Sequence, residues 1–176
     1  MKILLHIFII FIFLGCVKEP SIPLGIENLE KTFLSIDNTI DRNESAEFAY
    51  KILEYTSSLK YKYDLEYPPL YHNFLVNSGL KNRGLCWHFA NDMLIFILDQ
   101  KYKSFDYYIV GASIDDYWDE HNAIVVTCKG CSYKQGIILD AWRNSGNLYY
   151  STVEDDYEYK WIQRGQKINS KFNIRY

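Results

Sequence analysis

The spacing of hydrophobic positions changes once along this chain. Residues 26–80 are predicted to be helical, and within segment 44–61 apolar residues recur every three or four positions, as one face of a helix requires: Phe48, Ala49, Ile52, Leu53 and Leu59. A Pro68-Pro69 pair opens a second short helix. Residues 85–103 contain no Gly or Pro and carry a broad apolar surface, which predicts a central, mostly buried helix.

The rest of the chain follows the pattern of strands. Four short runs rich in β-branched and aromatic residues are separated by turn residues, over 107–114, 122–128, 136–142 and 148–153. Helices followed by strands predict an α+β domain, in which amino-terminal helices and the central helix pack on an antiparallel sheet. A length of 176 residues favours one domain, expected over residues 26–176. Acidic stretches at 115–120 and 154–158 are expected to be solvated loops.

The amino terminus has the pattern of a targeting segment. After a basic start, the apolar run of residues 3–14 is shorter than the ~18 residues of a membrane-spanning helix. The run ends in Phe-Leu-Gly-Cys and resembles a bacterial lipoprotein signal, so residues 1–15 are expected to be a signal peptide, Cys16 to be lipidated and residues 16–25 to be a tether. Because Phe13 replaces the usual aliphatic residue, an ordinary signal peptide or an uncleaved anchor stays open. The expected location is the bacterial cell envelope, on its periplasmic or outer surface.

Composition excludes several classes of protein. With 48% hydrophobic and 23% charged residues, the chain is too apolar to be disordered. A net charge of −3 provides no basic footprint, so a nucleic-acid partner is not expected. Four Cys are too few for a disulfide scaffold, and each therefore needs its own explanation.

Cys86 is the first candidate for chemistry. It follows an Arg-Gly-Leu sequence at the predicted start of the central helix, where unpaired N–H groups and the positive end of the helix dipole favour a thiolate. A thiolate is the form that attacks carbonyl carbon. Taken alone, Cys86 could equally be a buried core cysteine. His88 shares the polar side of the helix with Asn91, Asp92 and Asp99, which argues against His88 as the catalytic base.

Two downstream residues complete a candidate triad with Cys86. His121 begins one predicted strand and Asp140 ends the next, so neighbouring antiparallel strands can place both side chains on one face. A nucleophilic Cys needs a base, and that His needs a carboxylate to orient it. Trp142 lies on the Asp140 side of its strand and can shield the pair from water. Alternatively, His121 is a surface residue and Asp140 caps the turn at 144–146.

Gly84-Leu85-Cys86-Trp87 opening a helix, a strand-borne His121 and Asp140 on the next strand resemble the transglutaminase-like branch of the papain-type cysteine enzymes. Stretches 84–90, 120–127 and 139–146 resemble uncharacterised bacterial proteins of that branch. The resemblance implies a Cys86 nucleophile, a His121 acid and base and an orienting Asp140. It also implies that the Cys86 N–H is one oxyanion donor, with Asn82 a candidate for the second and Trp87 a supporting residue. No cofactor or metal is expected.

The resemblance implies thiol acyl chemistry, either hydrolysis of an amide or isopeptide or transfer to an amine. The expected substrate is a peptide, an isopeptide or a cell-wall-type molecule, with the lipid as the contact to a membrane. The alternative is a non-catalytic binding lipoprotein, which would use an aromatic-lined cleft built from residues that include Tyr149, Tyr150, Tyr157, Tyr159 and Trp161.

The other candidate residues have simpler explanations. Cys128 and Cys131 flank a predicted turn and form a candidate disulfide, because no second ligand pair at zinc spacing accompanies them. His72, in the short helix after the Pro pair, is expected to be a packing or surface residue.

Overall fold

The structure is a computed structural model that describes residues 25–116 and 118–168. In chain order the elements are α1 (Ile26–Leu34), α2 (Arg42–Lys62), α3 (Pro69–Asn77), α4 (Cys86–Gln100), β1 (Phe105–Ala112), β2 (His121–Cys128), β3 (Ile137–Asn144), β4 (Asn147–Thr152) and β5 (Ile162–Ile168). The predicted α+β class is confirmed. The predicted signal peptide and the Cys16 lipidation site lie outside the described residues. Within the described part of the chain, no helix has both the length and the hydrophobicity to cross a bilayer.

The five strands form one antiparallel sheet in the order β4-β3-β2-β1-β5. The first four follow the predicted strands within about two residues. The fifth was not predicted, because residues 162–168 alternate poorly and are mainly polar. It adds to the free side of β1 through backbone pairing, with Val110 opposite Gln163.

Local chemistry explains where the helices begin and end. The Asp41 carboxylate accepts a 2.9 Å hydrogen bond from the Glu44 N–H and caps the start of α2. Helix α4 is shorter than predicted, because Lys101 takes a left-handed conformation (φ 59°) and ends it. At its amino-terminal end, α4 begins at Cys86, as the candidate site requires.

The sheet is covered on both faces. Helices α1, α2 and α4 pack on one face and bury the larger core, which includes Phe33, Phe48, Phe89, Leu94, Ile124 and Leu139. The other face carries a smaller cluster, Tyr108, Val110, Ala112, Ala123, Val125, Ile138 and Trp161, against which Val153 and Tyr159 also pack. The segment between β4 and β5 therefore covers the face of the sheet opposite the helices.

A disulfide joins Cys128 and Cys131, whose Cα atoms are 5.3 Å apart. The turn that it encloses places the Gly130 N–H 2.7 Å from a carboxylate oxygen of the buried Asp106. The predicted turn between the two cysteines is present, with the Cys131 N–H bonded to the Cys128 carbonyl oxygen at 3.0 Å, and a 3-10 turn at Tyr133–Gln135 then completes the connection from β2 to β3.

Candidate active site

His121 and Asp140 form a buried pair on the face of the sheet opposite the helices. They lie on the neighbouring antiparallel strands β2 and β3, which are in register with Ile124 opposite Leu139. His121 Nε2 is 2.6 Å from Asp140 Oδ2, and both residues are at most 2% exposed. The structure therefore brings together the two strand-borne residues of the candidate triad.

Cys86 approaches this pair from the first turn of α4. Its sulfur is 3.9 Å from the Glu120 carbonyl oxygen and 3.8 Å from Nδ2 of Asn122. The Cys86 side chain also lies close enough to His121 to raise the pKa of its imidazole. Because Nε2 of that ring already binds Asp140, Nδ1 is the nitrogen left for the thiol. The order of contacts is that of a nucleophile, a base and an orienting carboxylate.

The electrostatics of the pair favour two opposite charges. Burial alone lowers the pKa of His121, but hydrogen bonds to Asp140 and Cys86 and the negative charges of those groups raise it to about 9. Burial acts to raise the pKa of Asp140, but the hydrogen bond and charge of His121, followed by contacts with Arg143, hold it below its usual value. At neutral pH His121 is therefore an imidazolium facing a carboxylate.

Arg143 is a site residue that the sequence analysis missed. Its Nε donates to Asp140 Oδ2 at 3.1 Å, and its two terminal nitrogens donate to the two carboxylate oxygens of Asp156 at 3.1 and 2.7 Å. Asp156 also accepts a 2.9 Å hydrogen bond from Trp161 Nε1. The expectation that residues 154–158 form a solvated loop is therefore wrong for Asp156, which is buried because Arg143 and Trp161 satisfy its charge.

Three aromatic rings surround the imidazole of His121. The ring centres of Trp142, Tyr159 and Trp161 lie 4.7, 4.6 and 5.5 Å from it. Trp142 is held in place by a 3.0 Å hydrogen bond from Nε1 to Asn73 Oδ1. Trp142 thus lies in the predicted shielding position.

The other aromatic residues expected in a cleft are divided between several environments. Tyr159 and Trp161 pack on His121, and Tyr149 lies 3.8 Å beneath the Arg143 guanidinium. Tyr150 is half-buried against the larger core. Tyr157 is 92% exposed. These positions do not form one continuous aromatic lining.

Two buried histidines hold the loop that precedes Cys86. His72 Nε2 donates to the Arg83 carbonyl oxygen at 2.8 Å, while its Nδ1 accepts from the Glu66 N–H at 3.1 Å. His88 Nδ1 accepts from the N–H groups of Gly84 and Leu85. His72 is therefore the packing residue of the two expected alternatives, packing or surface, and both rings bind the backbone just ahead of Cys86.

The polar side of α4 is more buried than predicted. His88, Asn91 and Asp92 are each less than 10% exposed. Asp92 is satisfied by hydrogen bonds from Lys62 (2.7 Å), Tyr63 (2.7 Å) and Arg83 (2.8 Å). Burial, followed by the charge of Arg83, lowers the pKa of His88 to about 4. His88 is thus neutral and bound to backbone, and it is not positioned as the base.

The structure places two asparagines differently with respect to Cys86. Asn82 is exposed on the loop before α4, whereas the side-chain amide that reaches the Cys86 sulfur belongs to Asn122. The sequence placed Asn122 in a strand beside His121, but only the packing of α4 on β2 shows that it faces the thiol. Trp87, predicted to support the site, is 41% exposed and lies against the His88 ring in a tilted arrangement, with ring centres 3.7 Å apart.

Replacing Gly84 by Ala tests the loop that holds Cys86. Gly84 has φ +117°, and an added Cβ would collide with the His72 imidazole. The variant is expected to lose roughly 2–5 kcal/mol of unfolding free energy, from backbone strain and overpacking together, in chemical denaturation.

Gly79→Ala is the matched control for that experiment. Gly79 also has a positive φ, +79°, but no atom lies within 4 Å of the added Cβ. Its expected loss is only about 1–2 kcal/mol. Equal losses in the two variants would contradict the assigned contact between Gly84 and His72.

Among the described residues, no group of three or more His, Cys, Asp or Glu side chains is arranged to hold a metal ion. Comparisons of the chain with protein-family models, with curated proteins and with solved structures found no match. The residues and geometry of the site therefore carry the functional argument.

Proposed function

We propose that this protein is a cysteine-nucleophile acyl-transfer enzyme, either an amide or isopeptide hydrolase or a transglutaminase-type transferase. Its nucleophile is Cys86, its acid and base is His121, and its orienting carboxylate is Asp140. The observation that carries the proposal is the buried 2.6 Å contact of His121 Nε2 with Asp140, which leaves the other ring nitrogen to the thiol of Cys86. A buried pair of this kind directed at a sulfur at a helix amino terminus favours catalysis over packing.

In the acylation step, the Cys86 thiolate attacks the carbonyl carbon of the substrate, a C–S bond forms and the carbonyl electrons move to oxygen. The oxyanion accepts hydrogen bonds from the backbone N–H of Cys86 and from the side-chain amide of Asn122. The Cys86 N–H has no partner within the helix, because it is in the first position of α4. Collapse of the tetrahedral intermediate breaks the C–N bond. The His121 imidazolium gives its proton to the departing amine.

In the deacylation step, water or an acceptor amine attacks the thioester carbonyl. His121, now neutral, takes a proton from the attacking group, the C–S bond breaks and the sulfur leaves as a thiolate. Water gives hydrolysis, and an amine gives an amide or isopeptide crosslink. Asp140 stays ionised throughout and stabilises each imidazolium that forms.

The proposal includes a family and a location. The motif around Cys86, the strand-borne His121 and the following Asp140 support membership of the transglutaminase-like branch of papain-type enzymes. The apolar run and Cys16 support anchoring to a membrane of the bacterial envelope through a lipid. The proposed substrates are accordingly peptides, isopeptides or cell-wall-type molecules.

The competing proposal, a binding lipoprotein without catalysis, has less support. It depends on an aromatic-lined cleft, yet Tyr159 and Trp161 pack against His121 and Tyr149 against Arg143. Those rings shield the triad from water and strengthen its electrostatic interactions.

A paired activity screen tests the proposed function. The full chain and its Cys86→Ala variant are incubated with peptidoglycan fragments and peptides, with and without amine donors, and the products are identified by mass spectrometry. We expect hydrolysed or crosslinked products with the wild type and none with the variant. A wild type that binds these fragments without converting any of them, with the Cys86→Ala variant binding equally well, would favour the binding role.

A further inference from the structure

The ion cluster behind the triad supports an inference that rests on the proposed function. We propose that Arg143 is a positioning residue, which fixes the Asp140 carboxylate and divides its own charge between Asp140 and Asp156, so that it sets how strongly His121 holds its proton. Arg143 lies on β3 with its side chain 10% exposed. Its side-chain hydrogen bonds go to carboxylates and not to the thiol of Cys86. Its effect on the reaction would pass through Asp140.

The contacts of Asp140 show how its carboxylate is held. Oδ1 accepts backbone N–H groups from Trp142 at 3.0 Å and from Arg143 at 3.1 Å. Oδ2 accepts from the Arg143 Nε at 3.1 Å and faces His121 Nε2 at 2.6 Å. With both oxygens occupied, the carboxylate cannot rotate away from the imidazole. Arg143 and His121 also compete for one oxygen atom.

The guanidinium is itself held rigidly. Its two terminal nitrogens bind Asp156 in a bidentate arrangement, which fixes the plane of the group. The rings of Tyr149 and Tyr159 lie 3.8 and 4.7 Å from its central carbon.

The same cluster connects the triad to the segment that covers it. Asp156 accepts from Trp161 Nε1, and Tyr159 lies between Arg143 and His121. One arginine therefore joins Asp140 to the segment between β4 and β5. Two of the three rings around His121, those of Tyr159 and Trp161, belong to that segment.

The charged and titratable groups around His121 come from every element packed on it. They are Glu120 beside it in the chain, Cys86 from α4, Asp140 and Arg143 from β3, and Asp156, Glu158 and Tyr159 from the segment after β4. Arg143 is the cation that separates the two buried carboxylates. Removing Arg143 removes the positive charge that offsets the Asp140 carboxylate, so Asp140 would attract the His121 proton more strongly. Removing the charge of Asp156 leaves the positive charge of Arg143 less neutralised, so Arg143 would offset Asp140 more strongly.

Two variants within the cluster give opposite expected results. In Arg143→Gln the pKa of His121 is expected to rise by on the order of one pH unit, and in Asp156→Asn to fall by a similar amount, as followed by NMR titration of the imidazole. A purely structural role for the cluster predicts a different pattern. Loosening and hydration would then move the pKa of His121 from about 9 toward 6.5 in both variants. Shifts of the same sign, or no shift, would overturn the proposal.

Further variants keep this test decisive. Lys167→Gln is the control, because it removes a 2.8 Å ion pair to the buried Asp106, which lies away from the triad in the fold. This variant is expected to lower stability without moving the pKa of His121.

If Arg143→Gln does not fold, Arg143→Lys replaces it. Because lysine keeps the charge, the pKa of His121 should then stay close to about 9, and a fall toward 6.5 would overturn the proposal.

The titration does not require turnover, so it separates this proposal from the proposed function. If the activity screen fails but the pKa of His121 shifts in opposite directions in Arg143→Gln and Asp156→Asn, the role of Arg143 in setting that pKa stands and the catalytic role does not. If activity is found, the pH at which it declines on the alkaline side should move with the pKa of His121 in both variants. A profile that stays fixed while the pKa moves would overturn the link to catalysis.

Discussion

Asp140→Asn is expected to lower the acyl-transfer rate by about 10³–10⁴-fold while leaving the fold intact. The asparagine keeps the shape of the side chain but replaces an acceptor by an amide that can donate to His121 Nε2. That donation would move the imidazole proton to Nδ1, the nitrogen that has to accept a proton from Cys86. The orientation of the base would survive, but its tautomer would be wrong. The measurement is the turnover rate on a substrate from the activity screen, with folding checked by circular dichroism.

Asp106→Asn is the matched control for this substitution. Asp106 is as buried as Asp140 and is likewise held by a backbone N–H and by cations, those of Lys129 and Lys167. Its loss should reduce stability but leave the turnover rate within a few-fold of the wild type. If both variants lose the same activity, Asp140 contributes only to the fold.

Asn122→Ala is expected to reduce kcat by about 10²–10³-fold, because the amide beside the sulfur is positioned to donate to the oxyanion. Alkylation of Cys86 by iodoacetamide passes through no oxyanion and should proceed at nearly the wild-type rate. The two readouts together separate stabilisation of the transition state from activation of the nucleophile.

The corresponding change at Asn82 serves as the comparison. Asn82 is exposed on the loop before α4, so Asn82→Ala should leave both rates unchanged. A large loss of turnover in Asn82→Ala with none in Asn122→Ala would restore the donor expected from the sequence.

The periodicity of the sequence was sufficient to predict the main elements. The apolar spacing in α2 and α4 and the β-branched runs of β1 to β4 reflect burial against a single sheet, which is why the α+β class could be predicted. The strand β5 could not be predicted in this way. Its pairing with β1 depends on backbone hydrogen bonds, which leave no hydrophobic pattern in the side chains.

The candidate triad could be proposed from residue types and strand order, since alternation along β2 and β3 decides which side chains share a face. The residues around it depend on tertiary contacts between distant segments. Arg143 follows Asp140 by three residues, yet its partner Asp156 lies beyond β4 in a stretch that looked like a solvated acidic loop. An arginine just after an acidic strand end, followed by an aromatic-rich acidic segment, was the available signal.

The same limit applies to the oxyanion donor. Asn82 precedes Cys86 in the chain, and proximity in sequence favoured it. Asn122 is adjacent to His121 in a strand, but its side chain points to the other face of the sheet, toward α4. Only the docking of α4 on β2 brings the Asn122 amide to the sulfur.

The most direct test of the central claim is the pH dependence of Cys86 alkylation, followed site by site by mass spectrometry in the wild type and in His121→Gln. The pKa of His121 is raised to about 9, so its imidazolium lies beside the sulfur at pH 6 and is lost as the pH rises above 9. A neighbouring positive charge favours the reactive form of a cysteine, so we expect alkylation of the wild type at pH 6 to be at least about tenfold faster than that of the variant. The difference between the two rates should shrink above pH 9, where His121 becomes neutral. A wild type that reacts no faster than His121→Gln at pH 6 would contradict the proposed pairing of Cys86 with His121.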